Sequence, residues 1–342
     1  AGEVRPYQWS LHPTVFLTTE GRRDFTLFFD APEFRGRWRL DAFVGSREQI
    51  ATPYYGLGNG SEFDEARVTD ANPRYYRFGR TLRSGLVNVQ RPLGETPLRL
   101  LLGAGAIRGT LEPVPEGEGD SVGEGRTRVS EEISAGTLAG VEGWATFARA
   151  GLVWDTRDQE TGPRTGTWSD LLVQRVDETL GGAVSYTRWT LTDRRYFSLG
   201  PIVFANRFLL QGTGEGVPLF DLHRIQTSFR DQEGLGGSRS VRGVLRNRYA
   251  GRGLFIWNAE VSWEAAGFDL AGRSFDVVLS AFADAGRVWG GQPRVDELLA
   301  DLHRGWGGGV RLVMGRDFVI AADAGTAAET GLQLYIGLGY LY

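Results

Sequence analysis

The sequence predicts an all-β chain that crosses a membrane as an antiparallel β-barrel of about fourteen strands. Three observations carry that prediction. Apolar and polar residues alternate strictly over long stretches; these run to about 9 to 15 residues, enough to cross a bilayer at a tilt; and Trp and Tyr gather near their ends, where an amphipathic ring suits the headgroup layer. The clearest case closes the chain. Leu332, Leu334, Ile336, Leu338, Tyr340 and Tyr342 share one face, and Gly331, Gln333, Tyr335, Gly337, Gly339 and Leu341 the other. Phe255, Trp257, Ala259, Val261 and Trp263 likewise oppose Asn258, Glu260, Ser262 and Glu264. A soluble sandwich alternates too, but over about five or six residues. Here the non-apolar faces carry Arg, Glu, Asp, Asn and Gly, as suits a crowded polar lumen.

In chain order the strands fall at about 12–20, 24–34, 37–50, 74–91, 97–111, 144–156, 166–177, 183–198, 201–213, 254–265, 274–288, 305–315, 317–326 and 331–342. Lipid cannot satisfy a free sheet edge, so these strands are expected to close on themselves. Trp144, Trp154, Trp168, Trp189, Trp257, Trp263, Trp289 and Trp306 lie near strand ends and are expected to face the membrane interface. Long connections at 51–73, 112–143, 214–253 and 289–304 alternate with short ones such as Arg35-Gly36, Gly94-Glu95 and Gly200-Pro201. Long loops belong outside and short turns on the periplasmic side. Val295, Leu298, Leu299 and Leu302 recur at helical spacing, which predicts a short amphipathic helix in the 289–304 loop.

Composition removes other classes. Of 342 residues, 49 are Gly without a collagen period, none is Cys, and all 38 basic residues are Arg. Without cysteine there is no disulfide scaffold, thiolate metal site or cysteine nucleophile. A net charge of −4 argues against a nucleic-acid binder. No run of 18 apolar residues occurs, so no helix spans a membrane. The chain opens at Ala1-Gly2-Glu3 without a signal peptide and reads as mature or truncated.

Chemistry is sparse. His12, His223 and His303 form no HExxH pair, and no GxSxG elbow is present. Gly56, Gly58 and Gly60, and Gly103 with Gly105, open no helix and read as turn or lumen glycines. Glu112, Glu116, Glu118, Asp120 and Glu124 read as a solvated acidic loop before a cation site. Asp155 and Asp158, followed by Pro163 and Gly166, read as a capped turn before an acid/base pair. No cofactor and no enzymatic activity are expected. The arginine-dense 214–253 loop, with Gly236-Gly237-Ser238-Arg239-Ser240-Val241-Arg242-Gly243-Val244, either binds anionic glycolipid outside or folds inward to partner Glu260, Glu264 and Asp284.

Val241-Arg242-Gly243-Val244 resembles the VRGF/Y signature of the BamA/TamA superfamily of outer-membrane assembly and translocation proteins. Phe282-Ala283-Asp284-Ala285-Gly286 resembles its (F/G)xDxG strand motif. Asp155-Thr156-Arg157-Asp158, with Pro163 and Gly166, resembles its DTRD periplasmic turn. Gly307-Gly308-Gly309-Val310-Arg311 resembles its Gly-rich penultimate strands, and the aromatic final strand is shared. The resemblance spans at least residues 144–342 and departs at Val244, where the family has an aromatic. It implies an integral bacterial outer-membrane barrel over 1–342, a lid loop at 214–253 re-entering the lumen, and an Arg242–Asp284 bond that holds the lid. It also implies insertion or translocation of outer-membrane polypeptides, or anchoring of a periplasmic domain, with lipid and unfolded outer-membrane polypeptides as partners. Family barrels have about sixteen strands, so the chain is expected to lack a first hairpin and any fused or associated amino-terminal periplasmic domain. The competing expectation is a passive or ligand-gated pore whose arginines select anions.

Overall fold

The computed structural model describes residues 7–19, 22–112, 127–138, 142–229, 232–315 and 318–339. Tyr340 and Tyr342, and the acidic Glu116, Glu118, Asp120 and Glu124, lie outside them. The all-β expectation holds. The strands are β1 (Ser10–Leu17), β2 (Arg23–Phe34), β3 (Trp38–Pro53), β4 (Arg77–Pro92), β5 (Leu98–Glu112), β6 (Gly143–Asp155), β7 (Gly166–Val176), β8 (Tyr186–Leu199) and β9 (Ile202–Thr213). After the two-residue β10 (Arg224–Ile225) and β11 (Gln232–Glu233) come β12 (Gly253–Leu270), β13 (Arg273–Trp289), β14 (His303–Met314), β15 (Phe318–Ala327) and β16 (Thr330–Leu338). All but β10 and β11 form one antiparallel sheet of 14 strands in chain order. Among the described residues, no helix is long and apolar enough to cross a membrane.

Alternation sets which face goes where. On β7, Asp170, Leu172, Gln174 and Val176 are buried while Leu171 and Val173 between them are exposed. On β16 the outward set Leu332, Leu334, Ile336 and Leu338 is exposed throughout, Ile336 to 85%. A row of aliphatic side chains that bare is stable only against lipid. The inner face carries buried Asp41, Asn88, Arg149, Asp170, Arg207 and Asn258, and nearer the long connections two apolar clusters. One cluster gathers Tyr54, Phe78, Phe147, Tyr186 and Phe220; the other gathers Leu209, Ile225, Leu235, Val241, Val244 and Ile256.

Turn chemistry fixes the short end. Arg35 and Gly36 (φ 45° and 84°) join β2 to β3, and Ala271 and Gly272 (φ 52° and 74°) join β12 to β13. At β12–β13 the two left-handed residues match the twist of a two-residue hairpin, and at β2–β3 they form part of a three-residue one closed by Arg37. The β12–β13 hairpin is longer than the alternation suggested, because a bulge between Glu264 and Ala266 shifts the period and hides the continuation to Leu270.

Four expectations need correction. Among the described residues the sheet is not closed: β1 pairs with β2 only and β16 with β15 only. Closure was inferred from lipid alone, but the described β1 has edge character. β1 contains Pro13, tolerated where no neighbour needs its missing N–H, and its side chains are exposed on both faces. In the 289–304 loop the amphipathic helix is a single 3-10 turn, Val295–Glu297, with Val295 and Leu299 exposed; four apolar residues with no opposing face cannot drive a longer helix. Trp168 points inward, between the guanidinium groups of Arg157 and Arg194. Trp289 is buried, its Nε1–H on Glu297 Oε2 at 3.1 Å, because the loop after β13 folds over its outer face.

Replacing the outward Leu171 in the middle of β7 with Arg is expected to cost about 2–4 kcal/mol, against at most ~1 kcal/mol for Leu199→Arg at the end of β8. Equilibrium unfolding in lipid vesicles measures both; equal costs would contradict the assigned lipid face.

Candidate functional site

The connection between β9 and β12 runs into the lumen, and buried arginines of the wall hold it there. At the end where the long connections lie, the short helix α2 (Leu219–Leu222) places Asp221 against Arg188, whose Nη1 donates at 2.8 Å, and against Arg224 Nε at 2.5 Å, with the Tyr186 hydroxyl also donating. Burial alone would raise the Asp221 pKa, but the two arginines and the Tyr186 hydrogen bond hold it below the usual carboxylate range. Deeper in, Arg149 Nη1 donates to the Thr227 carbonyl at 3.2 Å and Ser228 Oγ to Asp170 Oδ2 at 2.7 Å. Phe229 meets Phe28 edge-on at 5.1 Å and lies 5.0 Å under the Arg39 guanidinium. Arg39 also pairs with Asp30 at 2.9 Å and with Glu160 of the 156–165 turn at 2.6 Å. The loop therefore reaches the level of the short turns. Burial pushes Glu160 up, and Arg39 more than reverses it, leaving that carboxyl low.

On its way back the loop is held by Arg207 of β9, which donates to Gln232 Oε1 at 3.1 Å and to the Arg239 carbonyl at 2.7 Å. Asn258 Nδ2 donates to the Ser240 carbonyl at 2.5 Å. Arg242 then meets the wall. Its Nε and Nη2 donate to both oxygens of Asp284 at 2.7 and 3.0 Å, its backbone N–H to Asp284 Oδ2 at 3.0 Å, and its Nη1 to Glu260 Oε2 at 2.6 Å. The guanidinium lies 3.5 Å over the Phe282 ring. Glu260 and Asp284 are inward positions on neighbouring strands, Asp284 standing opposite Asn258, two residues along from Glu260. Arg311 of β14 joins them, donating to Asp323 at 2.5 Å and Glu260 at 3.3 Å. Two buried arginines are thus shared among three carboxylates.

The flanking motif residues make that approach possible. Gly243 sits at φ 98°, its N–H donating to the Tyr335 hydroxyl of β16 at 3.0 Å and its carbonyl accepting from Thr330 Oγ1. A Cβ there would lie 2.5 Å from Thr326 backbone. Val241 and Val244 are fully buried with Leu235 and Ile256, so an aliphatic side chain packs at the position where the resemblance has an aromatic. A Cβ on Gly286 would come within 2.6 Å of Leu235 and 3.0 Å of Val241.

The 155–166 residues form a separate arrangement at the short-turn end. Arg157 donates to both Asp155 oxygens at 2.9 and 2.8 Å, and Asp158 Oδ1 accepts from the N–H groups of Gln159, Arg164 and Thr165 at 3.1, 3.0 and 3.2 Å. Pro163 is buried. Gly166, at φ 101°, passes against the Thr156 carbonyl with no room for a Cβ. From this turn Arg164 donates to Glu264. Glu264 was expected to take a partner from the long loop; it lies too near the other end of β12 for that. Of the final-strand residues, Leu334, Ile336 and Leu338 face outward.

Sequence reading missed the arginines of the wall, Arg39, Arg188, Arg207 and Arg311. Their signal was present: each stands at an inward position of an alternating strand. It also missed the way residues 54–76 cross the mouth. Asn59 donates to the Asp301 carbonyl at 2.7 Å and accepts from Val288 N–H at 3.0 Å, while Arg248 donates to the Ser61 carbonyl at 2.7 Å. Beside them the helix α1 (Arg128–Ser134), capped by Thr127, brings Glu131 to Tyr75 and Glu132 to Tyr54. Among the described residues no group of three or more His, Asp or Glu could hold a metal ion.

The family model for the Omp85 superfamily domain matches residues 17–316. Among solved structures, BamA from Haemophilus ducreyi lacking POTRA domains 1–3 superposes with a TM-score of 0.57 at 14% identity, covering 96% of this chain and 63% of that one. CdiB from Escherichia coli gives 0.55 at 14% identity, covering 94% of this chain and 54% of that one. At such identity the likeness is one of fold, and the chain spans less than two thirds of either protein's length. No curated protein matches the sequence.

Arg242→Ala leaves Asp284 buried without its partner and Glu260 with Arg311 alone, and is expected to cost about 3–5 kcal/mol. Heat-modifiable gel migration and protease resistance of the 214–252 loop measure it; no change in either would refute the anchoring. Anchoring through Asp221 has the opposite sign from a histidine switch. Its lowered folded pKa gives stability fully present above the ordinary carboxylate value of about 4 and lost as pH falls through the lower folded value. Hydrogen exchange of residues 219–225 should stay slow down to about pH 4 and quicken only below it.

Proposed function

Because the chain belongs to the Omp85 superfamily, we propose that this outer-membrane barrel passes polypeptides into or across the membrane along its β1 and β16 edges, with the 214–252 loop as the lid that keeps the lumen shut. The observation that carries this reading is that, among the described residues, β16 and β1 each leave one edge unpaired. A row of free N–H and C=O groups is costly in lipid and is a template for an incoming strand. A client strand adding to either edge would satisfy both chains at once, the physics of β-augmentation.

The lid supports the edge over the lumen as the route. Its side chains and carbonyls fill the polar layer, so a polypeptide could not pass straight through without displacing Arg149, Arg207 and Arg242 from their partners. Lid and edge also touch, since the Tyr335 hydroxyl on β16 accepts the Gly243 N–H. Exchange of hydrogen bonds between strands needs no catalytic group, so in this reading the chain is no enzyme and uses no cofactor. Its partners are lipid and unfolded outer-membrane polypeptide, with an amino-terminal periplasmic domain, fused or associated, delivering the client.

A photo-crosslinking residue at Val15 on β1 or Leu334 on β16 should capture unfolded outer-membrane polypeptides in cells, whereas one at Leu171 on the far wall should not. Equal capture at all three, or none at the edges, rejects the route. Planar-bilayer recording tests the competing pore: steady unit steps would identify a porin, and weak, erratic current is expected of a lidded barrel.

A further inference from the structure

Outside the lumen, the short-turn ends of β3, β4 and β5 build a second feature on the lipid-facing surface. Register aligns Leu40, Val89 and Leu102 in one outward row and Arg91 with Leu100 in the next, beside Trp38. Arg91 is the last outward residue of β4, and its guanidinium lies 5.0 Å over the Trp38 ring. Two adjoining hollows of 390 and 330 Å³ open here. One is lined by Val89, Leu93, Leu100 and Leu102; the other by Arg35, Arg37 and Arg91 around Trp38 and Gly94.

We propose that this surface is a binding site for an anionic phospholipid of the periplasmic leaflet, its phosphate held by Arg35, Arg37 and Arg91 and one acyl chain lying along Val89, Leu100 and Leu102. The leaflet assignment rests on the outer-membrane barrel reading, which puts the short turns on the periplasmic side. Charge complementarity selects the occupant. Three arginines line one hollow; Glu95, 94% exposed, takes one N–H of Arg37 at 2.8 Å, and Arg37 Nη2 donates to the Gly94 carbonyl at 2.6 Å. Among the described residues, Arg35 and Arg91 form no ion pair; each lies over a ring instead, Phe34 and Trp38. An outward arginine elsewhere near the same end, Arg195, is by contrast paired with Asp193 at 2.8 Å. Guanidinium groups suit a phosphate because they donate in a planar fork and shed water readily. The Trp38 ring orients Arg91 at the headgroup level, where an aromatic belt residue belongs. Directly below that level the wall turns apolar, which a free phosphate would not use and an acyl chain would.

Native mass spectrometry of the purified chain in neutral detergent tests this, with phosphatidylglycerol and phosphatidylcholine as probes at equal concentration. The wild type should retain phosphatidylglycerol about tenfold over phosphatidylcholine, and millimolar inorganic phosphate should not displace it. Arg35→Gln/Arg37→Gln/Arg91→Gln should lose the preference, whereas Arg195→Gln should keep it. All three replaced residues are exposed, and heat-modifiable migration confirms that the variants fold. Equal retention of both lipids, displacement by phosphate, or an unchanged preference in the triple variant overturns the site. No client is present in this measurement, so failure of polypeptide transfer leaves its outcome untouched, and the reverse also holds.

Discussion

The structure depends on one constraint: arginines buried in a lumen must be given anions and carbonyls, and the wall alone does not supply enough. Arg149, Arg188, Arg207 and Arg242 each find partners across the wall–loop boundary. In a low dielectric an unmet guanidinium costs far more than the loop entropy spent in satisfying it. The long loop therefore lies inside because its carbonyls, Asp221 and Arg242 are the missing half of the lumen's hydrogen-bond set. A loop left outside would strand Asp284, leave Glu260 with Arg311 and leave Arg207 with Asn258.

Single side chains connect parts that the chain order keeps apart. Arg39 holds Asp30 on β2, Glu160 on a short turn and, through its face, Phe229 on the loop. Tyr335 links Gly243 to the last strand. Tyr249 stacks on His303 and donates to Glu329 between β15 and β16, while its neighbour Arg248 reaches Ser61. Loop, turn and terminal edge are thus tied by a few polar and charge-assisted bonds, beside the two apolar clusters in which loop side chains pack against the wall. Such a network is satisfied only as a whole, and loss of one member exposes the rest.

The outer face obeys the reverse rule. Its aliphatic residues need no partner because lipid replaces one, and its charges are tolerable only near the strand ends. Trp38 with Arg91, and the pair Arg195 and Asp193, stand at those ends. The two faces of the same strand therefore answer to different solvents, and one residue of register separates them.

Much of this was legible in the sequence. Period-2 alternation located the strands, since a strand between lipid and a polar lumen must change character at every residue. The loop motif and its strand partner stood out as Arg242 and Asp284, and the Asp155–Gly166 turn as a capped turn, because capping and turn conformations are local. Other features were decided only by tertiary structure. That Glu264 pairs with Arg164 and Arg311 with Glu260 depends on which inward positions share a height in the barrel, and that is fixed by strand stagger, not by spacing in the chain. Trp168 and Trp289 read as interfacial because they stand near strand ends; a pair of guanidinium groups and a folded-back loop took them inside. The open edge was invisible for the same reason. Alternation reports which way each side chain points, and carries no information about which strand lies next to the first and the last.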